Sequence, residues 1–309
     1  MDNNTLANID LSSIRHSWEE GWKMMRDSIG NPANYLKFGV PGLDSRLKVM
    51  PGDIIVLGGA PGVGKTPFAL QLARGLADLG KRTVYFTYGS GLVRLMQINA
   101  ALSATVSGVM DGEMTDVQKT AADEQQAREA DYTIDIVEAA GLTVKQLGAI
   151  VRLEHYDAVF IDCVQQIPGR SGESRCDYLT TASIELRQIA QKEKCVIIEL
   201  AQLKIEQSGS EWVEPTRASI KDSRQFSQDA DVVLLMYDDR LHDRNRKVLK
   251  IEKNSLGPTP EYLYYDFLGD RLTFQPLDAK PRIDFTQPPP LCRRTDPAIT
   301  IGQKLTSQS

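Results

Sequence analysis

The feature that most constrains this chain is a glycine-rich segment between an apolar run and an amphipathic stretch. Residues 59–66 read GAPGVGKT, which fits the pattern G-x-x-x-x-G-K-[ST] of a phosphate-binding loop. The apolar residues 54–57 precede it, and residues 65–79 have the apolar spacing of a helix. Because a chance glycine-rich turn would lack this context, we predict an open α/β sheet with a phosphate site at one edge.

Each part of the segment has a physical role in holding phosphate. Glycines let backbone N–H groups approach phosphate oxygens without Cβ clashes, and the helix N-terminus adds partial positive charge. Lys65 would reach the β- and γ-phosphates, and the Thr66 hydroxyl would bind Mg²⁺. Pro67 falls in the first helical turn, where its missing N–H is tolerated. We therefore expect ATP and Mg²⁺ as ligands, with nucleotide contacts from Gly59, Ala60, Pro61, Gly62, Val63, Gly64, Lys65, Thr66 and Pro67.

A second metal ligand is predicted at the end of another apolar run. Residues 158–162 read AVFID and have the pattern of a buried strand that ends in Asp162. Carboxyl ends of strands line the crevice in which open α/β sheets bind ligands. We therefore assign Asp162 to the metal together with Thr66. Taken alone, the pattern also fits an aspartate that caps a turn.

The chain divides into three predicted parts. Residues 1–37 form an N-terminal arm, residues 38–275 form one α/β domain, and the proline-rich residues 276–309 form a disordered tail. An arm helix would bury its apolar face either on its own domain or on a neighbouring subunit, and composition alone favours neither. The residues on that face are Leu11, Ile14, Trp18, Trp22 and Met25.

Strand-like and helix-like segments alternate through the central part, which predicts a mostly parallel twisted sheet with helices on both faces. The last strands lack intervening helices, so we expect an antiparallel edge. The predicted strands are residues 53–57, 83–88, 133–136, 158–162, 196–201, 232–237, 247–251 and 263–267. The predicted helices are residues 65–79, 92–105, 116–129, 144–153 and 178–192.

Composition excludes several classes of protein. Hydrophobic residues make up 41% of the chain and charged residues 25%, as in ordinary globular proteins, and the net charge of −5 excludes a uniformly basic nucleic-acid-binding surface. The cysteines form no CxxC pair, which disfavours structural zinc. The polar N-terminus does not resemble a signal peptide, and no apolar run approaches the roughly 20 residues of a membrane span. These features predict a cytoplasmic protein without a membrane partner.

The ordered set of motifs resembles the C-terminal RecA-like motor domain of DnaB-type replicative helicases, over about residues 10–275. The segments that carry this resemblance are residues 38–44 (FGVPGLD), 51–53 (PGD), the glycine-rich loop, 160–165 (FIDCVQ), 200–203 (LAQL), 228–233 (QDADVV) and 253–258 (KNSLGP). The resemblance implies a RecA-like P-loop NTPase fold. Residues 11–28 resemble the linker helix of that family, which docks on the adjacent subunit and thereby favours a ring contact for the two tryptophans.

The resemblance also implies an assembly and further site residues. It implies a homo-hexameric or mixed ring with ATP between subunits, single-stranded DNA in the channel and replication proteins as further partners. Lys65 and Asp162 keep the roles given above. Gln202 matches the glutamine that couples the γ-phosphate site to the DNA loops, and Lys253 matches the basic residue that reaches a neighbour's γ-phosphate. Without the resemblance, both would be read as ordinary polar surface residues.

Two positions depart from the family pattern. The strand after the loop helix should be followed by a glutamate that orients the attacking water, but Gly89 stands there and no acidic residue occurs between Asp78 and Asp111. Ser255 stands where the family has its arginine finger. A water-positioning base is worth roughly 10²–10⁴ in rate and an arginine finger roughly 10³–10⁵. ATP binding is therefore better supported by the sequence than ATP hydrolysis.

The predicted DNA loops, about residues 164–178 and 203–218, carry basic residues but at least as many acidic ones. The candidate DNA contacts are Arg170, Arg175, Lys204 and Arg217. Charge alone would not predict DNA binding here, although backbone amides can also hold phosphates.

Three alternatives remain from the sequence. A non-hydrolysing, ATP-binding structural or assembly subunit is favoured by Gly89 and Ser255. A RecA-, RadA- or KaiC-like ATPase is disfavoured by the segments at 228–231 and 253–258. A small-molecule kinase would need an arginine-rich lid, which the sequence does not contain.

Overall fold

The computed structural model describes residues 15–29, 31, 35–169, 172–204, 207–208, 211–221, 225–239 and 246–277. The helices are α1 (Trp18–Ser28), α2 (Pro41–Asp44), α3 (Lys65–Asp78), α4 (Leu92–Ala100), α5 (Val106–Asp111), α6 (Asp116–Arg128), α7 (Val144–Glu154), α8 (Arg175–Glu193) and α9 (Gln225–Asp229). The strands are β1 (Ile54–Gly59), β2 (Thr83–Thr87), β3 (Ile134–Glu138), β4 (Ala158–Asp162), β5 (Val196–Gln202), β6 (Gln207–Ser208), β7 (Glu211–Trp212), β8 (Val232–Asp238), β9 (Arg246–Asn254), β10 (Glu261–Leu268) and β11 (Thr273–Pro276). Short 3₁₀ turns span Val164–Gln166 and Arg217–Ser219.

One 9-stranded sheet organises the domain, in the order β11-β10-β9-β8-β1-β5-β4-β2-β3. The strands from β8 to β3 in that order run parallel to one another. Strands β9, β10 and β11 continue the sheet antiparallel. The predicted parallel sheet with an antiparallel edge is therefore confirmed. Because the central strands are parallel, their carboxyl ends share one edge of the sheet, and functional residues that follow them converge there.

Helices cover both faces of the sheet, as the alternating sequence pattern predicts. On one face, α3 buries Phe68 and Leu72 in the same apolar core as Ile55 of β1. On the other face, Leu147 of α7 packs in a second core that contains Ile54. Neighbouring residues of β1 thus enter different cores, as expected for a strand buried on both sides. This packing fixes the position of the loop between β1 and α3.

Strand β11 was not predicted, and it packs against the phosphate-binding loop and the helix that follows the loop. Phe274 of β11 contacts the ring of Phe68 in α3 edge to face, with ring centroids 5.1 Å apart. Pro276 pairs with Tyr265, and the Leu277 amide donates to the Tyr264 carbonyl. The last strand therefore ends one residue past position 275, the predicted end of the domain. The rest of the predicted tail lies outside the described residues.

Helix boundaries show where local capping overrides apolar spacing. The predicted helix at 92–105 is wrong, because α4 ends at Ala100 and α5 begins at Val106. Thr105 caps the new helix by accepting a hydrogen bond from the Gly108 amide. Helix α8 begins at Arg175, three residues before its predicted start, because the Ser174 hydroxyl accepts from the Asp177 amide. Polar cap residues do not interrupt the periodicity that the prediction used, which explains both errors.

The arm contributes helix α1, which has an apolar face but no buried residue. Trp18 is 84% exposed and Trp22 is 48% exposed, and their rings contact each other edge to face. Leu11 and Ile14, which complete the predicted face, lie outside the described residues.

Leu36 pairs with Val49, so the domain begins slightly before residue 38. Among the described helices, none is both long and apolar enough to span a bilayer.

Candidate nucleotide site

The loop between β1 and α3 has a backbone that only glycine accommodates at key positions. Gly62 and Gly64 have φ angles of +77° and +107°, which L-residues with a side chain rarely adopt. A Cβ atom on Gly64 would lie 2.8 Å from Cζ of Phe274, so the ring of β11 leaves no room for one. The space beside Gly62 is open. The loop therefore presents its backbone to a ligand on one side and packs on the sheet edge on the other.

Lys65 occupies the first turn of α3 with its ammonium held inside the loop. Its Nζ donates to the carbonyl oxygens of Gly59 and Ala60, at 2.8 Å and 3.0 Å. Burial lowers the pKa of Lys65, and the nearby Asp162 carboxylate opposes that shift. A phosphate would add the negative partner that this partly desolvated ammonium needs.

Thr66 and Asp162 meet as the sequence predicts. The Thr66 hydroxyl donates a 2.6 Å hydrogen bond to Oδ2 of Asp162, and the Tyr85 hydroxyl donates to the same oxygen at 2.8 Å. Burial raises the pKa of Tyr85 well above its ordinary value, so this phenol remains a neutral donor. Tyr85 comes from β2, between β4 and β3 in the sheet. One carboxylate oxygen thus joins three elements at the carboxyl edge.

A cavity of about 500 Å³ opens above these residues. The predicted residues in its lining are Pro61, Gly62, Gly64, Lys65, Thr66, Pro67, Asp162, Gln202 and Gly89. Further lining residues, which the sequence reasoning missed, are Ser90, Arg94, Ile98, Cys163, Gln166, Phe267 and Leu272. Within the described part of the chain, no group of three or more metal-ligating His, Cys, Asp or Glu side chains is present. A metal at this site would therefore share the Thr66 and Asp162 oxygens with phosphate and water.

Arg94 brings a second positive charge to this cavity. It lies on α4, whose start follows β2 closely, and its guanidinium contacts the sulfur of Met110 at 3.5 Å. In the described part of the chain, no carboxylate forms an ion pair with it. The sequence could have indicated Arg94 as a cavity residue through its place on the first helix after β2, because that helix starts at the ligand-binding edge of the sheet.

Gly89, where the sequence comparison expects a carboxylate, follows the end of β2 at the cavity wall. Gly89 lines the cavity, and the nearest atoms to a Cβ placed on it would be those of the Gln166 amide, with Oε1 at 2.9 Å. Glu138, which ends the neighbouring strand β3, directs its Oε1 to the Leu92 amide at 3.1 Å. That glutamate therefore caps the start of α4. It does not line the cavity.

Gln202 reaches the cavity from the end of β5, as predicted. Its backbone is held on both sides by the buried Gln165, whose Oε1 accepts from the Gln202 amide and whose Nε2 donates to the Gln202 carbonyl. Gln165 also donates to the Lys221 carbonyl at 3.3 Å. The segment after β4 and the segment near residue 221 are thus tied together at the position of Gln202.

Lys253 lies away from this cavity. It pairs with Val233 near the start of β8, whereas the phosphate loop follows the carboxyl end of the parallel strand β1. Its ammonium donates to the carbonyls of Ser227, Gln228 and Ala230 at the end of α9. Ser255 donates its hydroxyl to the Asp231 carbonyl at 3.0 Å. Within one subunit, Lys253 therefore stabilises the end of a helix, and its assignment to a neighbour's phosphate stays a prediction.

Three of the four candidate DNA contacts lie among the described residues. Lys204 lies two residues after the end of β5 and is exposed, and its backbone amide donates to the Ser219 carbonyl. Arg217 is exposed in a 3₁₀ turn, and Arg175 is exposed at the first residue of α8. Arg170 lies outside the described residues.

The site combines a glycine-rich loop between a strand and a helix, a lysine whose ammonium lies inside that loop, and a hydroxyl–carboxylate pair at the end of a parallel strand. These features define a P-loop nucleotide-binding protein of the RecA-like fold. Residues 36–275 match the family described as the DnaB-like helicase C terminal domain, and the chain belongs to that family. Membership of this family implies nucleotide binding.

Similar proteins agree with this assignment. The chain is 26% identical over 220 residues to the replicative DNA helicase DnaC of Bacillus subtilis (strain 168), covering 67% of this chain and 48% of that protein. It is 26% identical over 225 residues to a probable plasmid replicative DNA helicase of Chlamydia trachomatis serovar L2, covering 69% of this chain and 49% of that protein. The chain thus spans about half the length of these relatives.

Solved structures share the fold. One of them, described as an ATPase domain, superposes with a TM-score of 0.78 at 20% identity, covering 85% of this chain and 100% of that chain. A DnaB-like replicative helicase, described with its interactions with primase, superposes with a TM-score of 0.74 at 19% identity, covering 84% of this chain and 67% of that one.

Proposed function

We propose that this chain is a ring-forming DNA helicase motor that binds MgATP and couples it to movement on single-stranded DNA during replication. The observation that carries the proposal is the convergence of Lys65, Thr66 and Asp162 at the edge of the sheet in a chain of this family. The loop backbone and Lys65 would bind the phosphates. Gln202, two residues before Lys204, would link the γ-phosphate to the DNA-facing segment.

The residues present fit Mg²⁺. This ion prefers oxygen ligands and keeps several waters, and it is usually held by one or two carboxylates plus substrate phosphates. Asp162 offers one carboxylate, and the Thr66 hydroxyl lies 2.6 Å from it. The bound ion would neutralise phosphate charge. Thr66 and Asp162 would hold it, while Lys65 would remain on the phosphate side.

Ring formation would use helix α1. No residue of this helix is buried by the described part of the chain, and Trp18 and Trp22 are exposed. A separate apolar cleft of about 560 Å³ lies between α3, α4 and α6, with Leu70, Leu95 and Met96 in its lining. Burying the two tryptophans of one subunit in the cleft of the next would remove both apolar surfaces from water. We propose this contact as the link between neighbouring subunits.

Two substitutions reduce the expected hydrolysis rate. Gly89 removes the carboxylate that would orient water, and Ser255 removes the cation that a neighbour would supply. These observations also favour the second candidate function, a nucleotide-gated ring subunit in which ATP stabilises the interface without turnover. We favour the motor, because the phosphate, metal and Gln202 positions are complete.

Calorimetry and turnover assays test the proposal separately. Titration with MgATP should give binding that Lys65→Ala abolishes, and the Lys204→Ala and Arg217→Ala variants should lower the affinity for labelled single-stranded DNA at low salt. Multi-angle light scattering should show a six-fold assembly with MgATP. Turnover that single-stranded DNA stimulates supports the motor. Binding and assembly without any turnover would support the nucleotide-gated subunit, and no heat of binding would refute both.

A further inference from the structure

The side chain of Gln166 occupies the space that Gly89 leaves open. A Cβ atom on Gly89 would lie 2.9 Å from Oε1 and 3.3 Å from Nε2 of Gln166, closer than ordinary contact. A larger residue at position 89 and this position of Gln166 therefore exclude each other. The amide sits where a side chain from the end of β2 would enter the cavity.

The backbone holds Gln166 at the cavity wall. Asp162 ends β4, and after Cys163 the 3₁₀ turn Val164–Gln166 begins. A 2.9 Å hydrogen bond from the Gln166 amide to the Cys163 carbonyl closes this turn. Val164, Gln165 and Ile167 are buried, whereas Gln166 is exposed and lines the cavity. Among the residues that the structure describes, none forms a hydrogen bond with the side-chain amide of Gln166. The amide is therefore available to a ligand or a water molecule.

The chemistry of an amide fits one task at this position. A glutamine side chain can accept a hydrogen bond from water through Oε1 and donate one to a phosphate oxygen through Nε2. In other P-loop enzymes a glutamine orients the attacking water in this way. An amide takes up no proton near neutral pH, so it positions water without acting as a base.

We propose that Gln166 orients the water that attacks the γ-phosphate of ATP, in the role that a carboxylate at position 89 would have. The water oxygen forms a bond to the γ-phosphorus while the bond from that phosphorus to the bridging oxygen of ADP breaks. The bonding electrons leave with ADP, and the water proton passes to an oxygen of the released phosphate. This proposal rests on the nucleotide binding proposed above. It gives a route by which a chain with glycine at position 89, where the family has a glutamate, would hydrolyse ATP.

The proposal predicts that a carboxylate at position 89 can replace the side-chain amide of Gln166. Gly89 is not among the glycines with positive φ, so its backbone accepts a side chain. The nearest obstacles to that side chain are the flexible amide atoms of Gln166. The double variant Gly89→Glu/Gln166→Leu would therefore remove the amide that a side chain at position 89 would meet, and would place a carboxylate at the cavity.

The experiment measures MgATP affinity and single-stranded-DNA-stimulated turnover for each variant. Gln166→Leu should lower kcat at least about 10-fold with a Kd for MgATP within about 2-fold of wild type. Gln191→Leu, on the exposed side of α8, is the matched control and should change neither. The double variant should restore kcat to at least the wild-type level. Its kcat, divided by that of wild type, should fall as pH approaches about 4.3, the ordinary pKa of glutamate.

The outcomes separate this proposal from the one on which it rests. Wild-type turnover that Gln166→Leu leaves unchanged overturns the role of Gln166. A wild-type protein that binds MgATP but never hydrolyses it also overturns that role and leaves nucleotide binding intact. A double variant that stays as slow as Gln166→Leu, or whose kcat ratio to wild type does not change with pH, overturns the proposal that Gln166 has the role of a carboxylate at position 89. Failure to bind MgATP at all refutes the proposed function itself.

Discussion

The Thr66 hydroxyl donates a 2.6 Å hydrogen bond to Oδ2 of Asp162 across a sequence separation of 96 residues. This contact joins the first turn of α3 to the end of β4, and the Tyr85 hydroxyl donates to the same oxygen. The charge and the hydrogen bonds of Asp162 can therefore be tested separately.

Asp162→Asn should remove the advantage that Mg²⁺ gives to ATP binding. An asparagine oxygen still accepts from Thr66 and Tyr85, so the fold should persist, but the negative charge that favours the ion is lost. We compare the affinity for ATP measured in Mg²⁺ with the affinity for ATP measured in EDTA. The ratio of these two affinities should fall at least about 10-fold in the variant, which is about 1.4 kcal/mol. Isothermal titration calorimetry measures it. Tyr85→Phe, which keeps the carboxylate, should retain most of the ratio, and an equal loss in both variants would contradict a role in metal binding.

Arg94→Ala should weaken nucleotide binding, because this guanidinium lines the cavity and forms no ion pair with a described carboxylate. A charge-assisted contact to phosphate at an exposed site is worth about 1 kcal/mol, or roughly 5-fold in Kd. The effect should shrink at high salt. Arg152→Ala, an exposed arginine on α7 paired with Glu193, serves as the control. Equal affinity of wild type and Arg94→Ala at low salt would show that Arg94 does not contact the nucleotide.

Glu199→Met should stabilise the protein at neutral pH. Glu199 lies in the central strand β5, and in the described structure both of its carboxyl oxygens are buried without a hydrogen-bond partner. Burial raises its pKa well above the ordinary 4.5. Above pH 4.5 the unfolded chain loses this proton while the folded chain retains it, so stability falls as pH rises until the folded-state pKa is passed.

Methionine has similar volume and no proton to lose, so the variant should escape that penalty. Its advantage should be smallest near pH 4.5 and grow by up to about 1.4 kcal/mol per pH unit. Urea unfolding at several pH values measures this difference. If the two proteins had parallel pH profiles, Glu199 would be ionised in the folded state.

Trp18→Ala/Trp22→Ala should disrupt assembly without affecting the fold of a single subunit. The described part of the chain buries no residue of α1, so the thermal unfolding midpoint of the monomer should stay within about 1 °C. Light scattering in the presence of MgATP should instead show smaller particles. Lys23→Ala, on the polar side of α1, is the control and should assemble normally. If the tryptophan variant assembled like wild type, α1 would not form the subunit contact.

The sequence by itself determined the local parts of this protein. The segment at 59–66 was enough to predict the phosphate-binding loop, because its glycines and lysine act through the backbone and over short distances. Apolar periodicity located the central strands and most helices, since burial on one or both faces leaves a regular pattern. Asp162 was found because the end of a parallel strand has a known place in the sheet.

The tertiary structure decided what depends on packing between distant segments. Strand β11 has a short, mixed sequence, and only its pairing with β10 and the position of Phe274 beneath Gly64 reveal it. Arg94 and Gln166 carry no motif, and they become candidates only because the sheet order brings α4 and the turn after β4 to the same cavity. The space left by Gly89 and filled by Gln166 is likewise a property of two strands that lie side by side, which residue spacing along the chain cannot express.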